Sequence, residues 1–224
     1  SSLAILGVFV LLRVASAPTA NLAYLLIALW ALVGRRQALE ALLLSFLFTQ
    51  LNPDLFPPAS QASIGRYLVV LGACVSVFGR NLAGRGLRFG TSFLATAIFG
   101  GYALLHATLF SVLPLVSFLK AAIWLCTMLT SLAAWSRLGD ERRELLTERI
   151  FLVLVLIVIT SLAAALLPGG YLPRTDFLRG VLGHSQALGS VAVFVAVWAL
   201  VRALGEPKPP WWLLGVAGIA SLVV

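Results

Sequence analysis

Of the 224 residues, 61% are hydrophobic and only 11% charged, with a mean hydropathy of +1.03; soluble domains run near half apolar and a quarter charged. That balance excludes a soluble domain and makes lipid the solvent for most of the chain. The net charge of +8 would suit a nucleic-acid partner, but the placement of the basic residues makes it a topology signal instead.

A membrane-spanning helix needs about 20 mostly apolar residues, and in hydrocarbon every backbone polar group must be satisfied within the segment. A β-barrel would need strict alternation, which the run 150–159 (IFLVLVLIVI) lacks. The expected fold is therefore all-α, a polytopic transmembrane helix bundle forming a single domain over residues 1–224. The opening residues carry neither an initiator Met nor a basic n-region, which points to an interior start and not a signal peptide.

Breaks at charged, Pro-rich and Gly-rich positions divide the chain into nine segments. The first two, residues 3–16 and 21–33, are short enough for tilted or half-spanning helices. Two more cover 39–51 and 67–78, and the strongest are 89–110, 112–135, 150–167 and 187–204. A ninth begins at the interfacial pair Trp211 and Trp212 and stops at Val224 after about 14 residues, from which a continuing chain is expected. Cys74 and Cys126 both fall in apolar runs and read as small packing residues.

Lys and Arg collect in cytoplasmic loops. Placing the loop after the second helix inside puts eleven basic residues there: Arg35, Arg36, Arg80, Arg85, Arg88, Arg137, Arg142, Arg143, Arg149, Arg202 and Lys208. Arg13, Arg66, Arg174 and Arg179 fall outside, and Lys120 is left in the membrane. The connector 137–149 mixes its arginines with Asp140, Glu141, Glu144 and Glu148, which suits a solvated helix with i,i+3 and i,i+4 pairs.

The outside positives need a reason of their own. The loop 168–189 holds Arg174, Asp176, Arg179 and His184. Arg179 stands just ahead of an expected helix start, where free N–H groups and the helix dipole favour an anion. Gly180 and Gly183 allow close backbone approach, and a guanidinium grips phosphate oxygens in a bidentate way. A diphosphate cradle fits these residues; so does an arginine anchored at lipid head groups.

The stretch 177–189, FLRGVLGHSQALG, entering a long apolar helix, resembles the Arg-x-x-Gly-x-x-(Gly/Asn)-His-Pro-Asn-x-x-Gly type of signature of the O-antigen ligase and polymerase family. Ser185 and Gln186 stand where that signature has Pro-Asn, and Gly180 follows Arg179 directly. The resemblance implies a bacterial inner-membrane glycosyltransferase of lipopolysaccharide biosynthesis. Such an enzyme moves a glycan from undecaprenyl diphosphate at the periplasmic face, to the lipid A core in a ligase or to another repeat unit in a polymerase. It implies that Arg179 holds the donor diphosphate, and that a further Arg and a catalytic His lie in a large periplasmic loop beyond Val224.

Glycosyl transfer without a metal needs charge stabilisation of the leaving diphosphate and an acceptor for the hydroxyl proton. Arg179 and His184 are accordingly the catalytic candidates, although His184 could instead order the loop, bind substrate or cap the helix. Arg174, Asp176, Gly180, Gly183, Gln186 and Lys120 are the substrate-binding candidates. Asp176 could orient Arg179 or Arg174, or form a structural pair. Lys120 could line a cavity for the anionic donor or snorkel to head groups, and His106 could pack or hydrogen-bond between helices. In the Pro-rich loop 52–66, Asp54 and Arg66 could edge the site. No P-loop, His-Glu-x-x-His, cysteine cluster or Asp-x-Asp pair is present, so neither metal nor cofactor is expected. The competing readings are a transporter or flippase-like carrier of a lipid-linked anionic substrate, which would show broken helices with polar centres, and a non-catalytic scaffold subunit.

Overall fold

The structure, a computed structural model, describes residues 2–58, 62–82, 90–173, 177–205 and 211–221. Among them the chain is all-α, with nine α-helices, one 3₁₀ turn and only isolated β-bridges. Four of the nine helices are long and apolar enough to cross a membrane, which fits a multi-pass membrane protein. The expected nine spans thus reduce to four that qualify by length and composition. The contacts divide the chain into two compact units.

The first unit comprises Ser1–Thr49 and Ala59–Arg143. It contains α1 (Ser2–Ala15), α2 (Ala17–Val33), α3 (Arg35–Thr49), α4 (Ala62–Leu82), α5 (Thr91–Phe110) and α6 (Pro114–Trp135). Helix α2 starts four residues earlier than expected because Ser16 caps it. The Ser16 hydroxyl accepts from the Thr19 amide at 3.4 Å, and the Thr19 hydroxyl accepts from the Ser16 amide at 3.1 Å. Pro18 is harmless there, since the first-turn amides have no helical partner.

Lipid tails are as apolar as a leucine, so helices in a bilayer associate through close van der Waals packing and interhelical hydrogen bonds. Helices α2 and α4 use both. A Cβ at position 72 would lie 2.9 Å from the Ala28 carbonyl oxygen, so the backbones meet almost directly. Farther along, the Ser76 hydroxyl donates to the Leu32 carbonyl at 3.3 Å, and Arg80 donates to those of Leu32 and Val33 at 3.2 and 2.8 Å. Arg80 therefore satisfies carbonyls that the end of α2 leaves open. At this same end Arg36 pairs with Glu40 at 2.9 Å. At the opposite end, buried Arg13 donates to the Phe48 carbonyl at 3.3 Å, and the Arg66 guanidinium lies 5.9 Å from the centre of the Phe46 ring. Within this unit the expected alternation holds, with Arg13 and Arg66 at one end and Arg36 and Arg80 at the other. Arg85, Arg88 and Lys208 lie outside the described residues.

Helices α5 and α6 form a hairpin closed by Ser111 and Ser117, whose hydroxyls are 2.6 Å apart. Only 11% and 6% of their apolar windows are buried, so much of the hairpin's apolar surface stays open outside its contacts with neighbouring helices. His106 stacks along α5 between Tyr102 and Phe110, at 6.1 and 5.2 Å.

Helix α7 (Asp140–Ala164) begins in the charged connector, ten residues before its apolar run. The expected i,i+3 pairing is there, Asp140 to Arg143 at 3.0 Å. Arg143 also donates to the carbonyls of Trp135 and Ser136, at 3.1 and 3.3 Å, and so caps the end of α6.

The second unit comprises Gln50–Pro58 and Glu144–Val224. Here α7 packs with α8 (Ser185–Gly205) and α9 (Trp211–Ser221) through Phe151, Leu154, Val158, Ala192, Val195, Ala199 and Leu213. Glu148 pairs with Arg202 at 3.2 Å.

Candidate functional site

The loop singled out by the sequence packs, in the second unit, with the end of α7 and the strap 50–58, through its segments 168–173 and 177–184. Pro168 starts a single 3₁₀ turn, Pro168–Gly170, after which the chain doubles back through the bridge Tyr171–Leu178 and a 3.0 Å bond from the Leu172 amide to the Phe177 carbonyl. A Cβ at Gly170 would run into the Ala164 carbonyl. That close approach puts the Gly170 carbonyl where it accepts from the amides of both Arg179 and Gly180, each at 2.9 Å.

Gly180 has φ +59°, the left-handed conformation that glycine adopts without strain. A Cβ here would strike the Ser161 side chain. The turn brings the Val181 amide to the Ser161 hydroxyl at 3.2 Å. The strap then pairs with the loop: the Asn52 amide donates to the Val181 carbonyl at 2.9 Å and the Gly183 amide to the Gln50 carbonyl at 2.6 Å, either side of the bridge Leu51–Leu182.

Asn52 is fully buried and is the pin of this assembly. Its Nδ2 donates to the carbonyls of Gly169 and Gly180 at 2.7 and 2.9 Å, and its Oδ1 accepts from the Asp54 amide at 2.9 Å. The last bond is an Asx turn, which asparagine favours because its side chain imitates a backbone acceptor. It presents the Asp54 carboxylate to Arg179.

Arg179 is 5% exposed. Its Nη2 donates to Oδ2 of Asp54, and at 3.4 Å to the Gly169 carbonyl. Its Nε is buried without a hydrogen-bond partner. Asp54 is half in solvent, its side chain 51% exposed. A guanidinium carries five N–H donors and is always charged, so one half-solvated carboxylate leaves it with donors for a further acceptor.

His184 is exposed and occupies the N-cap of α8, where its Nδ1 accepts from the Gln186 amide at 3.2 Å. With Nδ1 accepting, the proton of a neutral imidazole sits on Nε2. The helix start therefore belongs to His184 and not to Arg179. Residues 181–183 turn and pair with the strap, and α8 opens only at Ser185.

Arg179, Gly180, Gly183, His184 and Gln186 thus come together at one loop-to-helix junction. Gly180 is there for packing against α7, while a Cβ at Gly183 would make only ordinary contact, 3.5 Å from the Gln50 carbonyl. Lys120 belongs to the first unit, exposed in the second turn of α6, and Arg66 also belongs to that unit. Arg174 and Asp176 lie outside the described residues. Among the described residues no three His, Cys, Asp or Glu side chains gather as a metal site would need. Asn52, Ser161 and Gly170 escaped the sequence reading. The run Asn52, Pro53, Asp54 does carry the signal of an Asx turn, but nothing in it names a partner more than a hundred residues away. No protein-family model, no curated protein and no solved structure matches this chain.

Proposed function

We propose that this chain is a membrane glycosyltransferase of the O-antigen ligase type. It moves a glycan from undecaprenyl diphosphate to the lipid A core at the periplasmic face of a bacterial inner membrane, and Arg179 holds the donor diphosphate. The observation that carries this reading is the state of Arg179. It is a buried guanidinium with an unpartnered Nε, locked by backbone bonds to the Gly170 carbonyl, in the stretch that resembles the family signature.

A diphosphate offers the dense negative charge that such a group binds best, through charge-assisted and bidentate hydrogen bonds. Held in place before the reaction, the guanidinium stabilises charge as it develops on the leaving group without having to reorganise. His184, with its proton on Nε2, can donate to the same anion from the start of α8, where the helix dipole adds to the attraction. Arg174, Asp176 and Gln186 belong to this donor site on sequence grounds. Orientation follows from the excess of Lys and Arg on the other side. Helices α5 to α8 each run without a break, which favours an enzyme over a carrier with discontinuous helices.

The test is transfer of glycan from an undecaprenyl-diphosphate donor to lipid A core in vesicles, with membrane insertion checked in parallel. Arg179→Ala and Arg179→Lys are each expected to lose transfer by about 10²-fold or more, the usual effect of removing one donor that stabilises a transition state. Full activity in both would remove Arg179 from the mechanism. Transfer by the unmodified chain only onto a second repeat unit would make it a polymerase. Movement of the lipid-linked substrate across the bilayer without any transfer would make it a carrier.

A further inference from the structure

This inference rests on the reading that Arg179 holds a diphosphate, and it concerns how the anion gets there. We propose that Asp54 is a displaceable counter-ion, which guards Arg179 and gives way when a diphosphate takes its place on the same guanidinium edge. Nε and Nη2 form one edge of the guanidinium, and Asp54 uses half of it. Its Oδ2 takes the Nη2 donor, while Nε is buried without a hydrogen-bond partner. The Arg179 side chain is 6% exposed and that of Asp54 51%. An anion arriving from water therefore meets the carboxylate first, and the two donors of one edge match one anion at a time.

The half-match comes with a tether. The Asp54 amide is held by Asn52, which is itself held by the carbonyls of Gly169 and Gly180. That turn fixes the backbone from which the carboxylate reaches out, and one oxygen arrives at Arg179.

A phosphate group has no tether. Seated on the same edge, it accepts from Nε and Nη2 together, the bidentate arrangement that suits a guanidinium, and gives the buried Nε the acceptor it lacks. A diphosphate also sets more than one negative charge against the single charge of Asp54. Because one anion replaces another, the exchange never leaves the buried cation uncompensated, which is the costly state. The released carboxylate turns into water that already reaches half of it. A monoanion gains less from the exchange, since it brings no more charge than the group it displaces. Asp54 therefore sets a threshold at Arg179 that favours polyanionic phosphate, by penalising the weaker competitor.

The experiment is calorimetric titration of the full chain in lipid nanodiscs with inorganic pyrophosphate, and with formate as the monoanion, for the unmodified chain, Asp54→Asn and Arg179→Ala. Asp54→Asn keeps an acceptor for Nη2 but loses the charge. It is expected to bind pyrophosphate about ten-fold more tightly, the difference between displacing a charge-assisted and a neutral hydrogen bond at a buried cation. Its preference for pyrophosphate over formate should narrow. A second measurement uses Asp54→Ala, which pyrophosphate should protect against SDS unfolding more than it protects the unmodified chain, in proportion to the tighter binding. The proposal is overturned if Asp54→Asn binds pyrophosphate no more tightly than the unmodified chain while Arg179→Ala loses binding. Asp54 would then only position Arg179, and the diphosphate reading would stand. It is equally overturned if pyrophosphate protects Asp54→Ala no better than the unmodified chain. The underlying reading fails separately if Arg179→Ala binds pyrophosphate as tightly as the unmodified chain, and no binding by any of the three refutes both.

Discussion

Replacing Asn52 with alanine removes three hydrogen bonds at once: two donated to the carbonyls of Gly169 and Gly180, at 2.7 and 2.9 Å, and one accepted from the Asp54 amide at 2.9 Å. At about 1 kcal/mol net for each intramolecular bond the loss is about 3 kcal/mol. At the ~0.6 kcal/mol average measured between transmembrane helices it falls to about 2 kcal/mol. Because the side chain is fully buried, water cannot simply replace it. Asn52→Asp is expected to be worse than Asn52→Ala, since it sets a second oxygen against two carbonyl oxygens. The assay is unfolding by SDS titration in mixed micelles, followed by tryptophan fluorescence, with helix content checked by circular dichroism. A shift below about 0.5 kcal/mol for Asn52→Ala, the range of ordinary surface changes, would refute the pinning role.

Gly180→Ala forces a side chain into the left-handed region and against Ser161, at a cost of about 1–3 kcal/mol. Gly183→Ala should be close to neutral in the same titration, and equal effects would contradict the geometry. Asp54→Ala strands a guanidinium that is 5% exposed, whereas Arg179→Met strands a carboxylate that water already reaches. The first is therefore expected to destabilise more, by about 1–3 kcal/mol for the unsatisfied buried group, and a double variant should cost less than the two singles combined. His184→Ala should cost about 1 kcal/mol as a lost N-cap and His184→Asn should recover it. Faster hydrogen exchange in the first turn of α8 for the alanine variant alone would confirm the cap.

The long helices were legible because apolar run length is a direct physical requirement of the bilayer. The C-terminal bounds of α5 and α6, Phe110 and Trp135, fall where the apolar runs end. Starts were harder to read. Helix α7 gains its first ten residues from the charged connector, and α2 gains residues 17–20 from a serine–threonine cap that looks like loop sequence. Among the described residues four helices qualify as spans by length and composition, where the sequence divides into nine segments. In the site, Arg179 stood out as a cation on the wrong side of the charge balance. Asp54 was named only as a residue that could edge the site, not as the counter-ion, because the pair Asp54–Arg179 spans 125 residues and local pattern does not say which distant loop supplies a counter-ion. The anion reading of the helix start failed at Arg179 for a similar reason: pairing of 181–183 with the strap delayed the helix.

The strap also dictates an order of assembly. Asn52 leaves the ribosome well before the carbonyls it binds, which lie 117 and 128 residues further along the chain. Closing so long a loop costs little more in entropy than closing a shorter one, yet it cannot happen until Gly180 has been made. The junction therefore forms only after both distant carbonyls have been made. Every nascent intermediate before it carries an asparagine without its final partners, which gives a protease or a chaperone a period in which to distinguish a chain whose junction is open from one whose junction has closed.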